Sequence, residues 1–145
     1  MKEPIFTWDA ETKKTTCTII FDNKQFCGCA YCHPDDDDMA SEKTGSEIAL
    51  RRAMIKAYKY QKLCLKEQLS ALKQLYYSMS RSKKFNENSY ENKMLQSQIS
   101  LISFDLATVK ETIAMEEQSV KAYIANKEDF YQRIRRNRRK DNLNK

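Results

Sequence analysis

The chain has 145 residues, 41% of them apolar and 32% charged, with a formal net charge of +6. That size suits one domain, or one small domain with an extension. No run of about 18 apolar residues offers a membrane span, and the amino-terminal MKEPIFTWDAETKK carries no apolar signal segment, so a cytosolic protein is expected. The basicity is local: residues 133–145 hold seven basic groups and one acid, so the remainder of the chain balances to zero.

The first 33 residues read as strands. Ile5 to Trp8 is a short candidate, followed by a turn-like polar stretch from Asp9 to Lys14. Thr15 to Phe21 is rich in β-branched residues and puts Cys17, Ile19 and Phe21 on one face. Asp22-Asn23-Lys24 predicts a tight hairpin connection, because asparagine tolerates positive φ. Gln25 to Cys32 returns as the partner strand, in which Gly28 marks a bulge or a close backbone approach. Such a sheet is too small to stand alone and must pack on helices.

His33-Pro34 ends the strand, and Asp35 to Lys43 forms an acidic connection. After Gly45 the chain has no glycine and no proline, so nothing obligatorily interrupts a helix. Thr44 and Glu47 stand as a capping box that predicts a helix start. Leu65, Leu69, Leu72, Tyr76 and Met79 then recur as a heptad-like seam. Arg81 to Asn92 has no apolar period and reads as a break. A second helix is expected from about Tyr90 to Arg136, with a seam of Ile99, Ile102, Leu106, Val109, Ile113, Val120, Tyr123, Phe130 and Ile134, interrupted at Glu116 and Lys127.

The fold class expected is therefore α+β, with a small amino-terminal antiparallel sheet followed by two long antiparallel helices. Residues 1–43 form the sheet region with its acidic connection, 44–136 the hairpin, and 137–145 a basic, frayed tail. Leu50, Met54, Ala57, Tyr60, Leu63 and Cys64 on the first helix, with Leu101, Phe104 and Ile124 on the second, are apolar beyond the seams. Self-association would cover them.

Candidate chemistry is sparse. Five cysteines without a secretion signal read as reduced thiols. Cys29, Cys32 and His33 match the spacing of covalent haem attachment, but residues three apart in a strand face opposite sides. Zinc at Cys27, Cys29, Cys32 and His33 lacks a second ligand pair on a separate turn. Asp35 to Asp38 lacks the alternating spacing of a calcium loop. No metal or cofactor is expected. The single histidine, His33, leaves no Ser–His or Cys–His plan, so the chain names no catalytic set and reads as a non-enzyme.

Arg51-Arg52 near the start of the first helix points instead to phosphate, because helix amino-termini favour anions and arginine adds a forked donor. Tyr76, Tyr77, Phe85, Asn86, Asn88, Tyr90 and Asn92 cluster at the hairpin tip, where rings could stack on a base and amides could read its edge. The tail RIRRNRRK is either a solubilising run or a nucleic-acid patch; it has no interleaved aromatics, so nucleic acid is not the expected partner.

The stretch from Cys32 to Ala53, CHPDDDDMASEKTGSEIALRRA, preceded by Phe26-Cys27-Gly28-Cys29-Ala30, resembles the phage Thoeris anti-defence sponges. The resemblance implies a non-catalytic cytoplasmic protein, made in the host bacterial cell, that sequesters cyclic ADP-ribose isomers from TIR-domain enzymes and, as in some members of the family, cyclic oligonucleotide signals. It implies a homo-oligomer, as a dimer or a hexamer built as a trimer of dimers. It maps ligand contacts onto Arg51 or Arg52 for the pyrophosphate and onto Tyr77, Phe85, Asn88 and Asn92 for adenine and ribose. The chain departs from the pattern in its second helix, which has no arginine before Arg133, only Lys93, Lys110, Lys121 and Lys127. Two other readings stand beside it: a phage inhibitor of a host nuclease acting by protein contact, as anti-CRISPR proteins do, and a small nucleic-acid-binding phage protein.

Overall fold

The computed structural model describes residues 2–31, 39–82 and 84–143, and within the helices leaves aside the side chains of residues 39–43, 129–131 and 134. Cys32, His33 and Asp35 to Asp38, weighed above for haem and metal, lie outside the described residues, as do the side chains of Phe130 and Ile134. The elements are β1 (Ile5–Asp9), β2 (Lys14–Phe21), β3 (Lys24–Tyr31), α1 (Met39–Ser80) and α2 (Tyr90–Leu143). The three strands form one antiparallel sheet in the order β1-β2-β3. The architecture is α+β, a small sheet followed by two long antiparallel helices.

The sheet follows from alternation. Thr15, Cys17 and Ile19 are buried while their neighbours Thr16, Thr18 and Ile20 are not, as a half-buried strand requires. Asp22 and Asn23 both have positive φ, 52° and 59°, between the paired Phe21 and Lys24. That is the two-residue hairpin whose twist suits the flanking strands. At the first turn, Asp9 Oδ1 accepts the amides of Glu11 and Thr12 at 3.0 and 3.4 Å. The Glu11 amide first, then Thr12, favours the charged carboxylate and holds its pKa below the usual value. Gly28 sits opposite Cys17 in an unbroken register, so it is no bulge; it marks the close approach of a helix.

Two compact units divide the chain: Met1–Ala57 with Met115–Lys145, and Tyr58–Ala114. In the first, the sheet-bearing unit, Ala49, Ala53 and Ala57 repeat every fourth residue of α1 and are buried with Cys17, Ile19 and Ala30. Alanine bears no χ angle, so this stripe brings helix backbone down onto the sheet at little entropic cost. Phe21, Phe26, Ile48, Leu50 and Met54 ring the contact. Leu50, Met54 and Ala57, which the sequence left over for self-association, are thus absorbed by the sheet. The unit's helical segments run antiparallel: Tyr123 Oη donates to Thr44 Oγ1 at 3.3 Å, and Arg51 pairs with Glu116.

In the second, the hairpin unit, Leu95, Leu106, Val109 and Ile113 of α2 are buried, and Leu65, Leu69, Leu72, Tyr76 and Met79 of α1 are half-buried. These are the seam positions read from the sequence, with Leu95 added. The connector is held by Ser89, whose Oγ accepts the Asn92 amide at 3.3 Å and whose carbonyl accepts the Lys93 amide at 3.0 Å. That is an amino-terminal cap on α2.

Both helices exceed their expected ends. Thr44 is not the cap: α1 begins at Met39, so Thr44 and Glu47 lie inside it. The tail expected to fray is helical through Leu143. With no glycine or proline to stop it, and arginine and lysine placed where the helix dipole favours cations, the last segment continues the helix. No helix among the described residues is long and apolar enough to cross a membrane.

Candidate functional site

The sequence placed an anion site at Arg51 and Arg52, and the structure corrects the premise. Both residues lie more than three turns inside α1, away from its free amides. Arg51 Nη1 donates to Glu116 Oε2 at 3.0 Å, and Arg52 Nη1 donates to the carbonyl of Cys29 in β3 at 2.7 Å. Glu116, which seemed to interrupt the α2 seam, is the partner of Arg51. Arg52 joins the outer strand of the sheet to the helix. Charge-assisted bonds of this kind contribute about 1.5–3 kcal/mol each when partly buried.

We therefore expect Arg52→Ala to lower stability by roughly 1–2 kcal/mol and to leave ligand affinity intact. Urea unfolding beside calorimetric titration checks this. Unchanged stability with lost binding would return the phosphate role to Arg52.

Tyr77, Phe85, Asn88 and Asn92 fall in the hairpin unit, whereas Arg51 and Arg52 belong to the sheet-bearing unit. Three of the four are tied to the connector. The Phe85 ring meets Tyr76 edge-on, with centroids 5.8 Å apart and planes at 84°, while Tyr76 Oη accepts from Gln96 Nε2 at 3.3 Å. Asn92 is buried, its Nδ2 donating to the Asn86 carbonyl, and its Oδ1 has no partner among the described residues. The Asn88 amide donates to Asn86 Oδ1 at 3.0 Å, a side-chain turn of the kind asparagine favours. Phe85 and Asn92 build the loop, and only the exposed Asn88 side chain faces solvent.

Tyr77 differs. Its ring is 57% exposed, with the Arg81 guanidinium stacked over it at 4.4 Å from the centroid and also donating to its hydroxyl. Lys66, Leu69, Ser70, Lys73 and Gln74 join Tyr77 along one α1 face as an open hollow of about 400 Å³. Spacings of three and four put them side by side, since 3.6 residues make a turn. Neither Lys66 nor Lys73 has an ion-pair partner among the described residues. Residues 58–82 hold five basic groups and one acid, Glu67, a local excess that the balanced total of the body conceals.

This face brings ammonium and guanidinium groups beside an aromatic ring, the donor set that takes a phosphate-bearing molecule with a planar base. Of the sequence-predicted residues only Tyr77 belongs to it. Lys66, Lys73 and Arg81 were missed, although Lys59, Lys66 and Lys73 recur every seven residues and so share a face. On the outer face of the sheet, Cys27 and Cys29 lie across from Thr18 and Thr16, with Sγ to Oγ1 distances of 3.4 and 3.8 Å. These two, Cys17 and Cys64 are free thiols. Comparison of the chain with family models, curated proteins and solved structures finds no match.

Proposed function

We propose that the protein is a non-catalytic binding protein that captures a cyclic nucleotide signal, in the class of the cyclic ADP-ribose isomers, and withholds it from a host defence system. The observation that carries the reading is the α1 face where Tyr77 lies under Arg81, with Lys66 and Lys73 alongside. Lysine ammonium groups meet phosphate oxygens without needing a fixed fork geometry, and an exposed ring offers a stacking surface to adenine. In this reading the protein works as a homo-oligomer in the cytosol of a bacterial cell infected by phage. Capture, as opposed to turnover, means that the ligand leaves unchanged when the protein is denatured.

Isothermal titration with cyclic ADP-ribose isomers and with cyclic dinucleotides, followed by mass spectrometry of the ligand released on denaturation, tests it. Lys73→Glu and Tyr77→Ala are each expected to weaken binding at least about tenfold, a loss of about 1.4 kcal/mol, with helicity unchanged. No binding by any of these molecules, or equal binding by a Lys66→Glu/Lys73→Glu protein, removes the reading.

A second reading, inhibition of a host nuclease by protein contact, is favoured by one feature. β1 is an edge of the sheet, and its Ile5, Phe6 and Trp8 are all substantially exposed. Unpaired edge strands with apolar side chains add readily to a partner's sheet.

A further inference from the structure

The arginine-rich end of α2 is a motif that the binding face on α1 leaves unused. Because the helix runs through Leu143, its cations are held at fixed angles around a rod instead of on a frayed tail. At about 100° per residue, Arg133, Arg135, Arg136, Arg138, Arg139 and Lys140 cover roughly 220° of the circumference. All six are exposed. Arg136, Arg138, Arg139 and Lys140 have no ion-pair partner among the described residues. Asp141, the single acid of residues 133–145, falls with Asn137 in the sector that remains.

The density and the shape of this cationic helix fit duplex DNA. Six charges over seven rises of about 1.5 Å give one per about 1.8 Å, and duplex DNA carries one phosphate charge per about 1.7 Å of its axis. A helix with its side chains is about 10–12 Å across, and the major groove of B-form DNA is about 12 Å wide. Arg133 and Lys140 lie on one flank of the basic sector and Arg135 and Arg138 on the other, so the two flanks can meet the phosphates of the two strands. Gln132 and Arg139, seven residues apart, fall between the flanks and face the base edges, where arginine pairs with guanine. The aromatic groups that the stretch lacks serve to stack single-stranded bases and are not needed in a groove. The major groove of duplex RNA is too narrow for a helix. An anionic membrane surface requires an apolar face opposite the cations, but Asn137 and Asp141 stand there, and the exposed Leu143 lies on the basic side.

We propose that the carboxyl-terminal turns of α2 lie in the major groove of duplex DNA and bind it chiefly through its phosphates. This goes beyond the capture of a cyclic nucleotide, which uses α1 in the hairpin unit, whereas this end of α2 belongs to the sheet-bearing unit.

Fluorescence anisotropy of the full-length chain, with a labelled DNA duplex, the matching single strand and a duplex RNA of the same length, provides the test. A dissociation constant of about 1–10 μM is expected for the DNA duplex at about 100 mM salt, at least about fivefold tighter than for the other two. The logarithm of affinity should fall against that of salt with a slope of about −4, as neutralising four or five phosphates requires. Glutamine is a good helix former, so an Arg136→Gln/Arg138→Gln/Arg139→Gln/Lys140→Gln protein should keep its helicity and its response to a cyclic nucleotide. It is expected to bind the duplex at least about thirtyfold more weakly, with a slope about three units shallower. Asn137→Pro keeps every charge and breaks the helix; it is expected to lose at least about fivefold on the duplex, and with it the preference over the single strand. Equal affinity for duplex and single strand, or wild-type binding by either variant, overturns the proposal. So does the absence of duplex binding at about 100 μM protein, including the case in which the protein sediments with phosphatidylserine vesicles instead. Titration with a cyclic nucleotide reports on the capture reading separately.

Discussion

Gly28→Val is expected to separate the sheet from α1 and to remove more than about 4 kcal/mol of stability, the range of a disrupted core contact. A Cβ at Gly28 would lie 2.1 Å from the carbonyl oxygen of Ala49, 2.4 Å from the amide nitrogen of Ala53 and 2.9 Å from the carbonyl carbon of Arg52. All three are backbone atoms of one helix, so no side chain can rotate away, and the helix itself would have to lift. Lifting it exposes Ala49 and Ala53 and breaks the bond from Arg52 to the Cys29 carbonyl. Urea unfolding measures the loss. The thiol of Cys17 gives a second, local readout. It is fully buried, and burial pushes its pKa up, so in the native protein it is both hidden and held as the unreactive thiol. In Gly28→Val it should become alkylated under native conditions, as peptide mapping would show. A variant that keeps the wild-type midpoint and a protected Cys17 would mean that the helix does not rest on this glycine.

Ile19→Ala should cost about 3–4 kcal/mol, and Ile19→Val only about 1. Ile19 is 1% exposed in the central strand, and with Cys17 it is the largest side chain fully buried anywhere among the described residues. It belongs to one core cluster with Cys17, Ala30, Ala49, Ala53 and Ala57, against which the partly buried Phe21, Phe26, Ile48, Leu50 and Met54 pack. The alanines have no side-chain torsion with which to close a cavity, so only the surrounding ring can refill one. The cost therefore belongs in the middle of the usual range. Denaturant midpoints for the two variants decide the matter; a loss below about 1 kcal/mol for the alanine protein would show that the sheet contributes little to the stability of the whole.

The candidate residues divide between local signals and contacts made by folding. Arg51 and Arg52 looked like anion ligands because they are polar, paired and near an expected helix start. Each has instead found a partner far along the chain, Glu116 at 65 residues and Cys29 at 23. Phe85 and Asn92 looked like reading groups for a base and became parts of a loop, because a connector's buried amides and carbonyls need side-chain partners. The face of Lys66, Lys73 and Tyr77 was present in the sequence as a seven-residue spacing, but whole-chain charge counting averaged it away.

By itself the sequence determined the elements and their kind. The alternation through Thr15, Cys17 and Ile19, the absence of glycine and proline after Gly45, and the seam from Leu65 to Met79 are local or periodic signals, and each appears where it was read. Tertiary structure alone decided where the helices begin and end, which arginines are occupied, and why Gly28 must be glycine. Those depend on contacts between residues distant in the chain, and a helix end or a guanidinium partner is chosen by whichever neighbour folding brings within bonding distance.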